Sequence, residues 1–272
     1  MSTTTDRGVG APCWVSLTSR DPEAAERFYG RVMGWGFQDA GDTPGLRIAL
    51  TGGVPVAGIA GLGEGSSGRA AWTPYFSVDS VTGTAARITE RGGTLAVGPL
   101  SFGGGRVAWV ADRDGALFGI REGLPLGSWR PGPGPAPAWP ELRTRDAFAA
   151  ALFYGEVLAW AEPGPGCCAV SYENERVVLR DEGRAVARLR GGALEEAPDP
   201  AVRPRWHVNL RVPDPGAAAE RARVAGASVL PGPGGARATS NVLVRDPEGA
   251  LFTLTDEPAG PSEPDDSPGL SE

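Results

Sequence analysis

The chain has 272 residues and a formal net charge of −7, and 41% of its residues are hydrophobic while 22% are charged. This length allows two domains of ordinary size, each with its own core, and the composition is that of a globular protein. Because nucleic acids and anionic membranes bind basic surfaces, the negative charge argues against both as partners.

The first predicted elements belong to a stretch that occurs twice, Arg20–Trp35 and Arg145–Trp160, offset by 125 residues (145 minus 20). Asp21 and Asp146 stand where a helix N-cap would accept hydrogen bonds from the free amides of the first turn. Apolar residues then recur every four positions in both copies, which predicts one buried helix face. A strand is predicted at Cys13–Thr18, so the plan is a strand followed by a capped helix.

The rest of the first half alternates short apolar runs with Gly-rich turns. It predicts a second helix at about Val81–Arg91, which ends at two glycines. The predicted strands of this half are Leu46–Leu50, Val54–Ile59, Trp72–Val78, Leu95–Val97, Arg106–Ala111 and Leu117–Arg121. Their order is β-α-β-β-β, used twice.

The second half repeats the plan after a Pro/Gly-rich linker, residues 123–137. Its predicted elements are strands at Trp139–Arg143, Cys168–Tyr172, Arg176–Arg180, Ala185–Leu189 and Trp206–Val212, a helix at Gly216–Ala225, and three closing strands. We therefore predict two domains, residues 11–122 (modules of about 11–62 and 70–122) and residues 138–257 (modules of about 138–192 and 203–257). Residues 1–10 and the acidic, Pro-rich tail 258–272 are predicted to be disordered.

Two motifs in this plan point to a known family. The two long helices share F-Y-G, and two modules end in D-x-[DE]-G-A-L-F, at Asp112–Ile120 and Asp246–Leu254. With four β-α-β-β-β modules, the chain resembles the vicinal oxygen chelate superfamily, which includes glyoxalase I, bleomycin- and fosfomycin-resistance proteins and extradiol dioxygenases. The resemblance covers about residues 12–256. It implies an α+β fold in which paired modules form two cup-shaped half-barrels with the ligand inside; module one could pair with module two or with module four.

The resemblance also implies where a metal would bind. Members of the superfamily that use a metal hold it with His or Gln on the first strand of a module and Glu on the last. The matching early positions here are Trp14, Thr73, Trp139 and His207, and the nearest late positions are Gly58, Gly119, Ala187 and Thr253. Only His207 is a competent donor, whereas a transition-metal site needs three or four. We therefore expect no cofactor and no divalent metal.

His207, the only His, is the candidate catalytic residue. Strand alternation places Asn209 and Arg211 on its face, and Trp139, Glu141 and Arg143 share a face of another strand. If the two strands meet, Glu141 could orient His207 for metal-free proton transfer. The alternatives are that His207 contacts a ligand or is a polar cup residue with a structural hydrogen bond.

Aromatic side chains form the second group of candidates. Trp14 and Trp139 replace metal ligands with flat surfaces that suit an aromatic or apolar molecule, although either could equally be part of the core. The candidate ligand-binding residues are Trp14, Ser16, Thr73, Tyr75, Trp139, Arg143, Asn209 and Arg211.

Three functions remain open at this stage. The first is a metal-free binder of a small organic molecule, acting in sequestration or resistance. The second is a metal-independent isomerase, cyclase or lyase that uses His207, and the third is a metal-dependent dioxygenase or glyoxalase. A polar N-terminus, the lack of an apolar run of about 20 residues and only three Cys predict a cytoplasmic protein without membrane contact. Four modules in one chain are compatible with a monomer or a homodimer.

Overall fold

The structure, a computed structural model, describes residues 9–41, 43, 45–63, 68–102, 104–123, 138–160, 168–173, 176–192, 203–230 and 241–257. The tail and nearly all of the predicted linker and N-terminal segment lie outside these residues, so the predictions made for them stay predictions.

The described residues form four modules of one helix and four strands each. Module one consists of β1 (Pro12–Ser19), α1 (Pro22–Met33), β2 (Gly36–Asp39), β3 (Leu46–Thr51) and β4 (Val54–Gly61). Module two consists of β5 (Ala71–Ser77), α2 (Val81–Glu90), β6 (Thr94–Phe102), β7 (Gly105–Ala111) and β8 (Leu117–Glu122). Module three consists of β9 (Ala138–Arg143), α3 (Ala147–Val157), β10 (Ala169–Glu173), β11 (Arg176–Asp181) and β12 (Arg184–Arg190). Module four consists of β13 (Arg205–Arg211), α4 (Pro215–Val224), β14 (Ser228–Leu230), β15 (Asn241–Arg245) and β16 (Leu251–Thr255). This confirms the predicted α+β fold of four βαβββ modules.

Two of the helices, α1 and α3, begin where the sequence predicted capping residues. The side chain of Asp21 accepts a hydrogen bond of 2.9 Å from the amide of Ala24, and Asp146 accepts one of 2.9 Å from Ala149. Each such cap satisfies an amide that the helix itself cannot pair, and it contributes about 1 kcal/mol. α1 ends at Gly34, whose φ of 72° is in the left-handed region that a helix C-cap commonly uses.

Sheet pairing answers the question of how the modules combine. β1 pairs antiparallel with β5, and β9 pairs antiparallel with β13. The strand orders are β2-β3-β4-β1-β5-β8-β7-β6 and β10-β11-β12-β9-β13-β16-β15-β14. Modules one and two therefore share one sheet, whose concave face we call the first cup, and modules three and four share the other, with the second cup.

The two domains pack against each other through the faces opposite the cups. One hydrophobic cluster joins module one to module four and includes Phe28, Tyr29 and Phe252. A second cluster joins module two to module three and includes Phe76 and Tyr154. Because these clusters cross between the domains, the two halves form a single packed unit with a cup on each side.

The two sequence motifs contact each other across this interface. The indole N–H of Trp72 donates a 2.9 Å hydrogen bond to the hydroxyl of Tyr29, which donates one of 2.9 Å to Asp246. In the other half, Trp206 donates to Tyr154 at 2.9 Å, and Tyr154 donates to Asp112 at 2.8 Å. Burial raises the pKa of both tyrosines well above its ordinary value, so the hydroxyls stay protonated donors. The Tyr of F-Y-G and the Asp of D-x-[DE]-G therefore fasten one domain to the other.

Candidate functional site in the second cup

The register of β9, β11, β12, β13, β15 and β16 creates a cavity in the second cup. Its volume is about 470 Å³, within the range of small-molecule sites. It is lined by Trp139, Glu141, Arg143, Arg176, Arg188, Arg190, Asn209, Asn241, Leu243, Thr253 and Glu257. Four of the predicted site residues, Trp139, Glu141, Arg143 and Asn209, therefore meet at this cavity, because they alternate on two paired strands.

His207 lies opposite Glu141 in the pairing of β13 with β9, as the alternation predicted. It is only 1% exposed, and its Nε2 shares a hydrogen bond of 2.7 Å with the hydroxyl of Thr253. Burial, followed by the positive charges of Arg143 and Arg205, lowers the pKa of His207 well below its usual 6.5. The imidazole is therefore neutral at physiological pH. His207 is not among the residues that line the cavity; it is hydrogen-bonded to Thr253, which is.

Glu141 has a different partner from the one the sequence suggested. Its carboxylate accepts a 3.2 Å hydrogen bond from Nε of Arg143, two residues along the same strand, and the pair is largely buried. Among the described hydrogen bonds, none joins Glu141 to His207. The two strands meet as predicted, but Arg143 orients the carboxylate and Thr253 holds the imidazole.

Trp139 forms one wall of the cavity and is 3% exposed. It packs with Val178 and Ala185, and the guanidinium carbon of Arg188 lies 4.8 Å from the centre of its ring, a cation–π distance. Asn209 donates a 3.3 Å hydrogen bond to the carbonyl of Trp139, which joins the two strands at this point. Trp139 is therefore part of a small core and of the cavity wall together, so both readings of the sequence hold.

Several lining residues were not among the sequence candidates. They are Arg176, Arg188, Arg190, Asn241, Leu243, Thr253 and Glu257. Arg188 and Arg190 alternate with the buried residues Ala187 and Leu189, a pattern that could have placed them on a cup face. Predicted candidate Arg211 ends β13 and is not among the lining residues. The lining is consequently more polar than expected for an aromatic or apolar ligand.

In the first cup, the predicted residues Trp14, Ser16, Thr73 and Tyr75 come together but are buried. Ser16 donates a 3.0 Å hydrogen bond to the hydroxyl of Tyr75, and burial raises the pKa of that phenol to about 12. A Cβ at Gly119 would clash with the ring of Tyr75. The aromatic ring thus occupies the space that a side chain at Gly119 would need.

Two family models match the two domains separately. The model of the Glyoxalase/Bleomycin resistance protein/Dioxygenase superfamily matches residues 13–120, and that of a glyoxalase-like domain matches residues 141–255. The chain belongs to the vicinal oxygen chelate superfamily. It is a tandem protein of that superfamily, since each domain has its own match.

The similarity to three known proteins covers both domains of this vicinal oxygen chelate protein. CFP32 of Mycobacterium tuberculosis (strain CDC 1551 / Oshkosh), named as a candidate glyoxylase, is 29% identical over 254 residues, which are 90% of this chain and 94% of that protein. The Mn(II)-bound glyoxalase from Novosphingobium aromaticivorans is 21% identical, with a TM-score of 0.54 over 92% of this chain and 84% of that one. An extradiol ring-cleaving dioxygenase from B. fuscum is 14% identical, with a TM-score of 0.57 over 98% and 76%.

The pairing of the strands identifies the metal positions of the vicinal oxygen chelate fold in this chain. Gly58 pairs with Ser16 in the first sheet, and the residue in the equivalent place of the second sheet is Arg188, which pairs with Glu141. The expected late position Ala187 is therefore wrong by one residue, and a guanidinium stands where a ligand would be. Within the described ranges, no three His, Cys, Asp or Glu residues cluster closely enough to hold a metal ion. The donor set does not fit the metal centre of the superfamily.

No helix among the described residues is both long and apolar enough to cross a bilayer.

Proposed function

We propose that the second cup binds a small organic molecule without the metal centre of the superfamily, in a sequestration or resistance role. The observation that carries this proposal is the cavity of about 470 Å³ inside the cup, where Trp139 and polar groups converge. The poor donor set supports the metal-free part of it. Trp139 and Leu243 support a ligand with an aromatic or apolar part. We expect this binding in the cytoplasm, by a monomer or a homodimer.

The repeat supplies a matched pair of variants for the test, because Trp14 and Trp139 occupy the same place in the two cups. Both are 3% exposed, so Trp→Leu should cost each cup a similar amount of packing. Native mass spectrometry of protein purified from its own host should show the chain with a releasable organic compound. We expect the compound to be retained by Trp14→Leu and lost from Trp139→Leu. Equal retention by both variants, or no compound and no saturable binding across a library of aromatic metabolites and drugs, would contradict the proposal.

A metal-independent isomerase, cyclase or lyase is the second candidate. One observation favours it: the carboxylate of Glu141 lines the cavity, is fixed by Arg143, and lies opposite the neutral imidazole of His207. The released compound, returned to the apo protein, should then be converted to a product, and Glu141→Gln and His207→Gln should each abolish turnover. Recovery of the compound unchanged after long incubation would favour the binder.

The names of the relatives suggest a third candidate, a metal-dependent glyoxalase or dioxygenase. This reaction would require a ligand set that the second cup does not offer, since Arg188 and Thr253 stand at the late positions. Elemental analysis tests it directly. One equivalent of a divalent metal in the purified protein, lost on His207→Ala, would restore this candidate and contradict metal-free binding.

A further inference from the structure

We propose that the ligand of the second cup carries a carboxylate or phosphate group, which is bound by a row of arginines across one end of the cup. The inference rests on the proposed function and adds the chemical class of the ligand. We call this set the arginine row: Arg176, Arg190, Arg143 and Arg205.

The arginine row follows from the strand register. Arg176 pairs with Arg190, Arg190 pairs with Arg143, and Arg143 pairs with Arg205. Residues that pair directly project from the same face of a sheet, so four guanidinium side chains stand side by side on β11, β12, β9 and β13. Each is the first or last residue of its strand, which puts the row at one rim of the sheet. Three of the four line the cavity.

The first cup shows that the fold does not need charge here. The register of the first sheet gives the equivalent row as Leu46, Ala60, Thr18 and Ala71. None of these residues is charged, although the two sheets have the same strand order. The arginines therefore do not serve the architecture that the two cups share.

The arginine row is also electrostatically costly. Like charges on directly paired residues destabilise a sheet. Burial and then the charge of Arg143 lower the pKa of Arg205, and its Nε is buried without a hydrogen-bond partner in the part of the chain that the structure describes. Burial likewise lowers the pKa of Arg188; the carboxylate of Glu141 acts in the opposite direction, and the positive charge of Arg176 lowers the pKa again. A bound anion would offset these costs.

The composition of the cavity agrees with this. Its lining contains four Arg and two Glu, an excess of two positive charges, in a chain whose net charge is −7. A guanidinium donates two parallel hydrogen bonds to a carboxylate or a phosphate, which makes arginine suited to planar oxyanions. Arg143 and Trp139 are four residues apart on β9, or about 13 Å at the usual strand rise. The geometry thus suits a ligand with an acidic end at the arginine row and a flat part towards Trp139.

The test uses the full chain and four probes: phthalate, its neutral dimethyl ester, phenyl phosphate and inorganic phosphate. Calorimetric titration at low and at moderate salt should show binding of one or more anions and none of the ester. Comparison of phthalate with phenyl phosphate shows whether the arginine row binds a carboxylate or a phosphate group. Arg176→Gln and Arg190→Gln should each weaken binding about tenfold or more, because a charge-assisted hydrogen bond is lost. Arg184→Gln, an exposed change on β12 with the same loss of charge, should bind like the natural protein.

Thermal unfolding without probe separates binding from folding. Arg176→Gln should leave the melting temperature unchanged or raise it, because it removes one of several neighbouring like charges, whereas a structural role of Arg176 would lower it. Binding of the ester as tightly as phthalate would overturn the inference, and so would unchanged anion binding by both Arg176→Gln and Arg190→Gln. Either result would leave the proposal that the second cup binds a small molecule intact. Failure of all three anions to bind would overturn it as well. A compound then released in native mass spectrometry and lacking an acidic group would show that the proposed function itself still stands.

Discussion

The single histidine makes the stability of this protein depend on pH in a way that can be calculated. His207 is the only side chain with an ordinary pKa between pH 5 and 8, since the chain has no other His. In the folded protein its pKa is lowered well below 6.5 by burial and by Arg143 and Arg205. In the unfolded chain it returns to about 6.5. The unfolded state therefore binds a proton on acidification that the folded state does not.

The sign and size of the effect follow from proton linkage. A depressed folded pKa contributes stability above the unfolded pKa, and this stability is lost as pH falls below about 6.5 towards the folded value. An ordinary imidazole is roughly one-tenth protonated at pH 7.5 and roughly nine-tenths at pH 5.5. The free energy of unfolding should thus fall by roughly 1 kcal/mol between these pH values. With an m-value of about 3 kcal/mol/M, the urea midpoint should fall by roughly 0.3 M.

Urea denaturation of the natural protein and of His207→Gln at both pH values measures this effect. The raised pKa values of Asp112 and Asp246 act in the opposite direction, because they favour the folded state in acid. Both proteins contain these carboxylates, so the difference between them isolates the imidazole. A midpoint that moves equally in both proteins would refute the reasoning. So would a histidine NMR resonance of the folded protein that titrates near pH 6.5.

Two further predictions concern packing. Tyr29→Phe should lower the free energy of unfolding by about 1–3 kcal/mol, because it leaves a buried indole N–H and a carboxylate without their shared partner. The control is Tyr172→Phe at an exposed position, which should change the free energy of unfolding little. Equal effects of the two substitutions in urea denaturation would argue against the interdomain contact. Gly119→Ala should destabilise the first domain, because the added Cβ meets the ring of Tyr75. Gly36→Ala, with open space around the added Cβ, should not. A melting temperature of Gly119→Ala equal to that of the natural protein would contradict the predicted clash.

The local elements were predictable from the sequence because their causes are local. The N-cap of Asp21 depends on residues within one helical turn, and the alternation of Trp139, Glu141 and Arg143 depends on one strand. The repeat at an offset of 125 residues made the same inference possible twice. The prediction that Trp139, Glu141 and Arg143 share one face of β9 was therefore possible without any knowledge of the contacts.

The late metal position of module three shows where counting along the chain fails. Ser16 and Glu141 are 125 residues apart (141 minus 16), whereas their register partners Gly58 and Arg188 are 130 apart (188 minus 58). The length between helix and last strand differs in the two copies, so the helix offset of 125 does not carry over to the last strand and the position predicted there, Ala187, was one residue from the register partner. Only pairing in the sheet identifies the equivalent residue.

What the sequence determined by itself is the set of four modules, the caps of the two long helices and the faces of strands such as β9 and β13, since these follow from local capping and from periods of two and of about four residues. Only the tertiary structure decided which strands are neighbours, and thus that Arg176, Arg190, Arg143 and Arg205 form one row. Alternation assigns a side chain to a face but does not say what stands beside it. That depends on the register between segments far apart in the chain, which the packing of the whole domain selects.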